Sequence, residues 1–169
     1  MSSSPSKALT PKRAIGALIA ILVVIGLWYA FRPEKLFINK RVNEAAPAQT
    51  QSALTPIYTG RFVGEAHKTS GRATIYKQAD GTRLLRLTDF STSNGPELHV
   101  LLVNGENPEA SKDFSLTAVK NVDLGSLKGN QGDQSYPLPA EADLRKFNTV
   151  TIYCERFHAN FGSAALQGF

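Results

Sequence analysis

The sequence predicts an all-β domain, an antiparallel sandwich or barrel, behind one N-terminal transmembrane helix. Three observations lead there. Residues 14–31 read AIGALIAILVVIGLWYAF, 18 residues without a charge. From residue 57 onward, short apolar runs alternate with turns rich in Gly, Pro, Asn and Asp. No long stretch keeps the 3.6-residue apolar period of an amphipathic helix.

The apolar run is close to the roughly 20 residues that cover a bilayer core. Lys12 and Arg13 close one end and Arg32 the other, with Trp28 and Tyr29 at headgroup level and Pro33 just outside. A cleaved signal peptide has small residues at its cleavage site, whereas this run ends in the bulky Leu27-Trp28-Tyr29-Ala30-Phe31. The expectation is an uncleaved single-pass anchor in the cell membrane, with residues 14–31 in the lipid bilayer. Basic residues are nearly balanced on the two flanks, so the positive-inside rule barely orients it. A short tail before the first apolar run favours residues 1–13 in the cytoplasm and the domain outside. Residues 32–56 then form a juxtamembrane linker, whose 44–56 stretch (EAAPAQTQSALTP) lacks an apolar face.

Charge supports the same division. The formal net charge is +5, and residues 1–56 hold seven basic and two acidic side chains. Residues 57–169 hold 12 of each sign, so the domain is neutral and nothing in its composition favours nucleic acid.

Within residues 57–169 the strands are expected in sequence. Thr74-Ile75-Tyr76 and Leu84–Leu87 flank Asp80-Gly81, a hairpin signal. Leu98–Val103 follows the turn Asn94-Gly95-Pro96 and is nearly all apolar, as a central strand is. Val122, Leu124 and Leu127 lie between Gly-rich turns. Tyr136-Pro137-Leu138-Pro139 reads as an edge, because proline cannot donate to a ladder. Residues 140–146 suit one short helical turn. Residues 149–157 (TVTIYCERF) are β-branched and aromatic, and Phe62, Phe90 and Tyr136 are expected in the core.

Chemistry-bearing residues are few. There is no nucleophile elbow, phosphate loop or dinucleotide fingerprint, and the carboxylates are scattered. The three histidines, His67, His99 and His158, lack metal-binding spacing. No catalytic constellation is recognisable, so the expectation leans away from an enzyme. Cys154 is the single cysteine, which excludes an intrachain disulfide. It shares a strand face with Val150 and Ile152, and two readings stand: a small core hydrophobe, or a redox thiol or metal ligand near the strand's end. His67 reads as a turn residue, and His99, out of step with Leu98 and Val100, faces the polar side.

Four ordered motifs carry a family resemblance. They are Gly60-Arg61-Phe62 with His67 and Gly71; Leu87-Thr88-Asp89-Phe90 followed by residues 94–100 (NGPELHV); residues 124–129 (LGSLKG) with Gly132, Gln134, Tyr136 and Pro139; and Val150–Cys154 with Phe157, Phe161, Gly162 and Ala164. Over about residues 60–166 the chain resembles the DM-thirteen domain family, described as electron-transfer domains and found beside DOMON domains in larger proteins. The resemblance implies a β-sandwich-like module with a redox role centred on the family's cysteine, here Cys154. It makes His67 the second candidate and suggests a Cys154–His67 pair ligating haem iron or copper. It also implies a redox partner in another molecule or membrane component. The competing expectation is a non-enzymatic binding or adhesion module of the cell envelope. Locally, Asp89 is expected to accept backbone donors at its turn, and Gly125, Gly129 and Gly132 to allow positive φ.

Overall fold

The computed structural model describes residues 11–31, 38–45, 54–105 and 120–169. The expected tail (1–13) and linker (32–56) fall partly outside these residues. The chain divides into two compact units, Met1–Lys35 and Leu36–Phe169.

The first unit contains α1, Pro11–Phe31, of 21 residues. At 1.5 Å per residue it is about 31 Å long, matching a bilayer's hydrocarbon core. Its large apolar side chains from Ile15 to Trp28 are exposed among the described residues. By length and composition it is able to cross a membrane. Its start at Pro11 suits proline's preference for the first helical turn.

The second unit is an antiparallel β-sandwich. Its strands are β1 (Thr55–Arg61), β2 (Val63–Gly64), β3 (Ser70–Lys77), β4 (Arg83–Ser91), β5 (Leu98–Val103), β6 (Asn121–Ser126), β7 (Gln134–Leu138), β8 (Thr149–Cys154), β9 (Ala159–Ala165) and β10 (Gln167–Gly168). One sheet runs β10-β1-β3-β4-β7 and the other β2-β9-β8-β5-β6. The expected Asp80-Gly81 hairpin joins β3 to β4, with Gly81 at φ +86° and the Thr82 amide donating to Asp80 Oδ1 at 2.9 Å. β7, which carries Pro137, is an edge strand as expected. Residues 140–146 form turns, the last of them a single helical turn as expected, in which the Asp143 carbonyl accepts the amides of Lys146 and Phe147.

The two inner faces make one core. Ala73, Ile75, Leu85, Leu87 and Tyr136 from the first sheet meet Val100, Leu102, Val150, Ile152 and Ala164 from the second. Phe62 and Phe90 pack edge to face at 5.2 Å between ring centroids. All six residues of β8 are buried, which accounts for its unbroken β-branched and aromatic composition. Leu101, Val103 and Tyr153 form a second buried cluster on the other face of that sheet.

Part of the expected linker 32–56 is docked on the second unit. Residues 39–44 lie along the sandwich. The Val42 amide donates to the Gln131 carbonyl and the Glu44 amide to the Asp133 carbonyl, both at 2.9 Å, and the Lys40 amide donates to Asn130 Oδ1 at 2.7 Å. Glu44 is the anchor. Its carboxylate accepts from Lys128 Nζ at 2.7 Å and from the Ser135 amide at 2.8 Å, while its carbonyl accepts from Arg86 at 2.8 Å. Burial raises the Glu44 pKa, but the bonds from Lys128 and Ser135 and the nearby Arg86 outweigh it, so the group lies below the ordinary carboxylate value. Sequence composition hides this strap because most of its partners lie some 90 residues further along the chain.

The motif residues at 128–136 serve the fold. Gln134 is fully buried yet satisfied: its Oε1 accepts from the Lys128 and Gly129 amides and from the Tyr136 hydroxyl, and its Nε2 donates to the Gly129 carbonyl. Burial above all pushes the Tyr136 hydroxyl up to about 12. Gly125 and Gly132 have positive φ as expected. Gly129 does not; its role is close approach, since a Cβ there would meet the Lys40 carbonyl. Asp89 departs from its expected role as well. It is itself at φ +49°, and its own amide donates to Asp133 Oδ1 at 3.0 Å.

Two glycines separate the strap's contribution from simple turn strain. Alanine at Gly81 meets nothing within 4 Å, whereas at Gly132 (φ +94°) it collides with the Val42 carbonyl. Gly81→Ala is expected to cost about 1–2 kcal/mol, the positive-φ penalty alone. Gly132→Ala should cost roughly twice that, with overpacking added. Denaturant unfolding of the detergent-solubilised chain checks the difference.

Candidate functional site

The β5–β8 pairing places Cys154. Leu98 faces Cys154, Val100 faces Ile152 and Leu102 faces Val150. All six side chains belong to the core between the sheets. Cys154 is 0% exposed, and across β9 it opposes Ala159. The inward face read from the alternation is therefore the observed one. An apolar packed thiol is shielded from solvent oxidants and reagents.

His67 lies in the turn between β2 and β3 and is exposed. The Glu65 amide donates to the Phe161 carbonyl and the Ala66 amide to the Asn160 carbonyl, which lays this turn along β9. The imidazole consequently rests on the Phe161 ring, with centroids 3.9 Å apart and planes tilted by 35°. Thr69 ties the same corner, its Oγ1 2.8 Å from both Thr92 Oγ1 and the Phe161 carbonyl. Phe161 sits where the β8–β9 register shifts: Tyr153 pairs with Asn160 and Ile152 with Gly162. The extra residue turns its ring into the core that holds Cys154.

Phe161 thus belongs to both environments, carrying His67 on one side and packing in the core with the thiol. Among the described residues no hydrogen bond joins Cys154 to His67, and neither belongs to a group of three metal-ligating side chains. Open cavities lie elsewhere among the described residues. One, of about 390 Å³, is bordered by Arg61, Arg72 and Ser163; another, of about 610 Å³, by Arg86, Asp89 and Asp133. Neither is lined by Cys154 or His67. A haem or copper ion held by both residues does not fit this packing, because the thiol has no open coordination position unless the core around it repacks.

One grouping escaped the sequence reading. His99 Nδ1 lies 2.9 Å from Asp123 Oδ2, and ligand atoms of His99, Asp123 and Glu155 all fall within 4.8 Å of one another. These residues come from β5, β6 and the turn after β8, so no spacing along the chain announces them. The outward step of His99 was the legible part.

The family model described as electron transfer DM13 matches residues 61–166. No curated protein and no solved structure matches the chain. The matched stretch contains Cys154, His67 and the Gln134 clasp.

The packing around Cys154 has a direct consequence for substitutions there. Cys154→Ser places a hydroxyl among apolar groups without a partner and should cost about 1–3 kcal/mol. Cys154→Ala leaves only a small void and should cost about 1 kcal/mol. Parallel urea unfolding curves check the order.

Proposed function

Because the chain belongs to the electron-transfer DM13 family, we propose that its β-sandwich is a redox module with Cys154 as its centre. The observation that carries this reading is the family match over residues 61–166. The thiol is enclosed, so in this reading the core around Cys154 would have to open for it to ligate the haem iron or copper that carries the electron. Phe161 shares the core with Cys154 and bears the His67 ring outside, which makes that corner the exchange surface in this reading. A redox partner docks there. His67 is the second functional residue as a polar contact at the surface.

The proposal extends to location. We read α1 as an uncleaved single-pass anchor in the cell membrane, with the sandwich on the extracytoplasmic side. The length and exposed apolar surface of the helix support the anchor. The bulky Leu27–Phe31 end, unlike a signal-peptide cleavage site, supports retention.

A second reading rests on its own observation. Cys154 is fully buried in one apolar cluster, the usual setting of a free cysteine that only packs. In that reading the sandwich is a non-enzymatic binding module of the cell envelope.

Voltammetry, absorbance and metal content of the detergent-solubilised full chain separate the two readings, with the protein produced both with and without supplied haem or copper. The redox reading expects a reversible couple, present when haem or copper is supplied, that Cys154→Ala abolishes while the variant stays folded. His67→Ala should keep the couple and slow electron exchange with an added mediator. Electrochemically silent parent protein, indistinguishable from Cys154→Ala under every supply condition, would overturn the redox reading and favour the binding one.

A further inference from the structure

We propose that His99, Asp123 and Glu155 form a binding site for a first-row divalent metal ion on the outer face of the second sheet. The site is separate from the thiol. Along β8 the side chains alternate, so Tyr153 and the following Glu155 point outward while Cys154 between them points inward. His99 is the outward cross-strand neighbour of Tyr153.

The backbone holds the three ligands in place. The Glu155 amide donates to the Glu97 carbonyl at 3.0 Å, which extends the β5–β8 ladder by one step and fixes Glu155 beside His99. Asp123 sits on β6, and its Oδ1 accepts from the Gly125 amide at 2.8 Å. Gly125 reaches that position at φ +108°. With one oxygen held there, Oδ2 is left facing His99 Nδ1 at 2.9 Å. Metal–ligand bonds of about 2.0–2.2 Å put neighbouring ligand atoms roughly 3–3.5 Å apart. The His99–Asp123 pair has nearly that spacing already, and a rotation of the exposed Glu155 side chain brings in the third atom.

Charge favours a cation. Two carboxylates converge here, and among the described residues the only basic group paired with either is His99 itself. Arg156, adjacent in sequence, is directed to Glu97 at 3.8 Å. His99 is about one-fifth exposed, so the imidazole is partly desolvated while Asp123 remains open to an incoming ion. One imidazole and two carboxylates without a thiolate suit manganese, cobalt or zinc better than a soft ion. Three protein ligands leave further positions to water.

The test uses the metal-free, detergent-solubilised full chain, prepared without a polyhistidine tag and titrated with Co²⁺. One equivalent should bind and give d–d absorption without a sulfur-to-metal charge-transfer band, and Zn²⁺ should displace it. Asp123→Asn and Glu155→Gln should each weaken binding at least about tenfold, as loss of a metal ligand does, with the metal-free melting temperature unchanged. Cys154→Ala and His67→Ala should bind like the parent, which makes the result independent of the redox reading. Absence of saturable binding overturns the site, and so do Asp123 and Glu155 variants that titrate like the parent. Loss of binding in Cys154→Ala overturns it too, by assigning the ion to the thiol.

Discussion

The register between β5 and β8 is the constraint on which both halves of this account depend. With Leu98 opposite Cys154, the thiol, Val150 and Ile152 fall on the core face, while His99, Tyr153 and Glu155 fall on the other. A slip of one residue would exchange the faces, because side chains alternate with a period of two. A slip of β8 would move Cys154 out of the core between the sheets, onto the face that Tyr153 now occupies. The register is strongly specified because β8 is buried on both sides, so a slipped pairing strands Thr149 and Thr151 in the apolar core.

Around that pair the sandwich closes in two ways. Phe161 fills the corner beside Thr69 and His67, held by the register shift in β9. At the opposite sheet, Glu44 and residues 39–42 lie against the 128–135 segment, where Gln134 satisfies four polar groups internally. Most residues of the family motifs are thereby occupied with folding. Gly132 admits the strap, Gln134 clasps its loop, and Gly95 lies against the Leu98 and Phe161 side chains, which a larger residue would have to displace. In the proposed readings, Cys154, His67 and His99 are the motif residues given a chemical role beyond packing.

Much of the fold was legible in the sequence because its signals are local. Alternation and turn chemistry at Asp80-Gly81, the apolar β5, the proline-bearing β7 and the β-branched β8 each act over a few residues. The inward face of Cys154 and the outward face of His99 followed from the same alternation. What the sequence withheld is long-range. The strap docks by hydrogen bonds across some 90 residues, which composition does not record. His99, Asp123 and Glu155 converge from three separate elements. The stacking of His67 on Phe161 depends on how the β2–β3 turn follows β9, and a shared ligand for His67 and Cys154 presumed an opening that the packed core does not have.

A thiol enclosed in the packed core is the central claim, and its accessibility tests that claim most directly. Labelling of Cys154 by a chromogenic disulfide reagent, followed across increasing urea, reports the opening that exposes it. The account predicts labelling in water slowed by a factor approaching the global folding equilibrium, and accelerated by urea with the slope of full unfolding. Native-state labelling at the rate of a free thiol, independent of urea, would contradict it and put Cys154 in an open site.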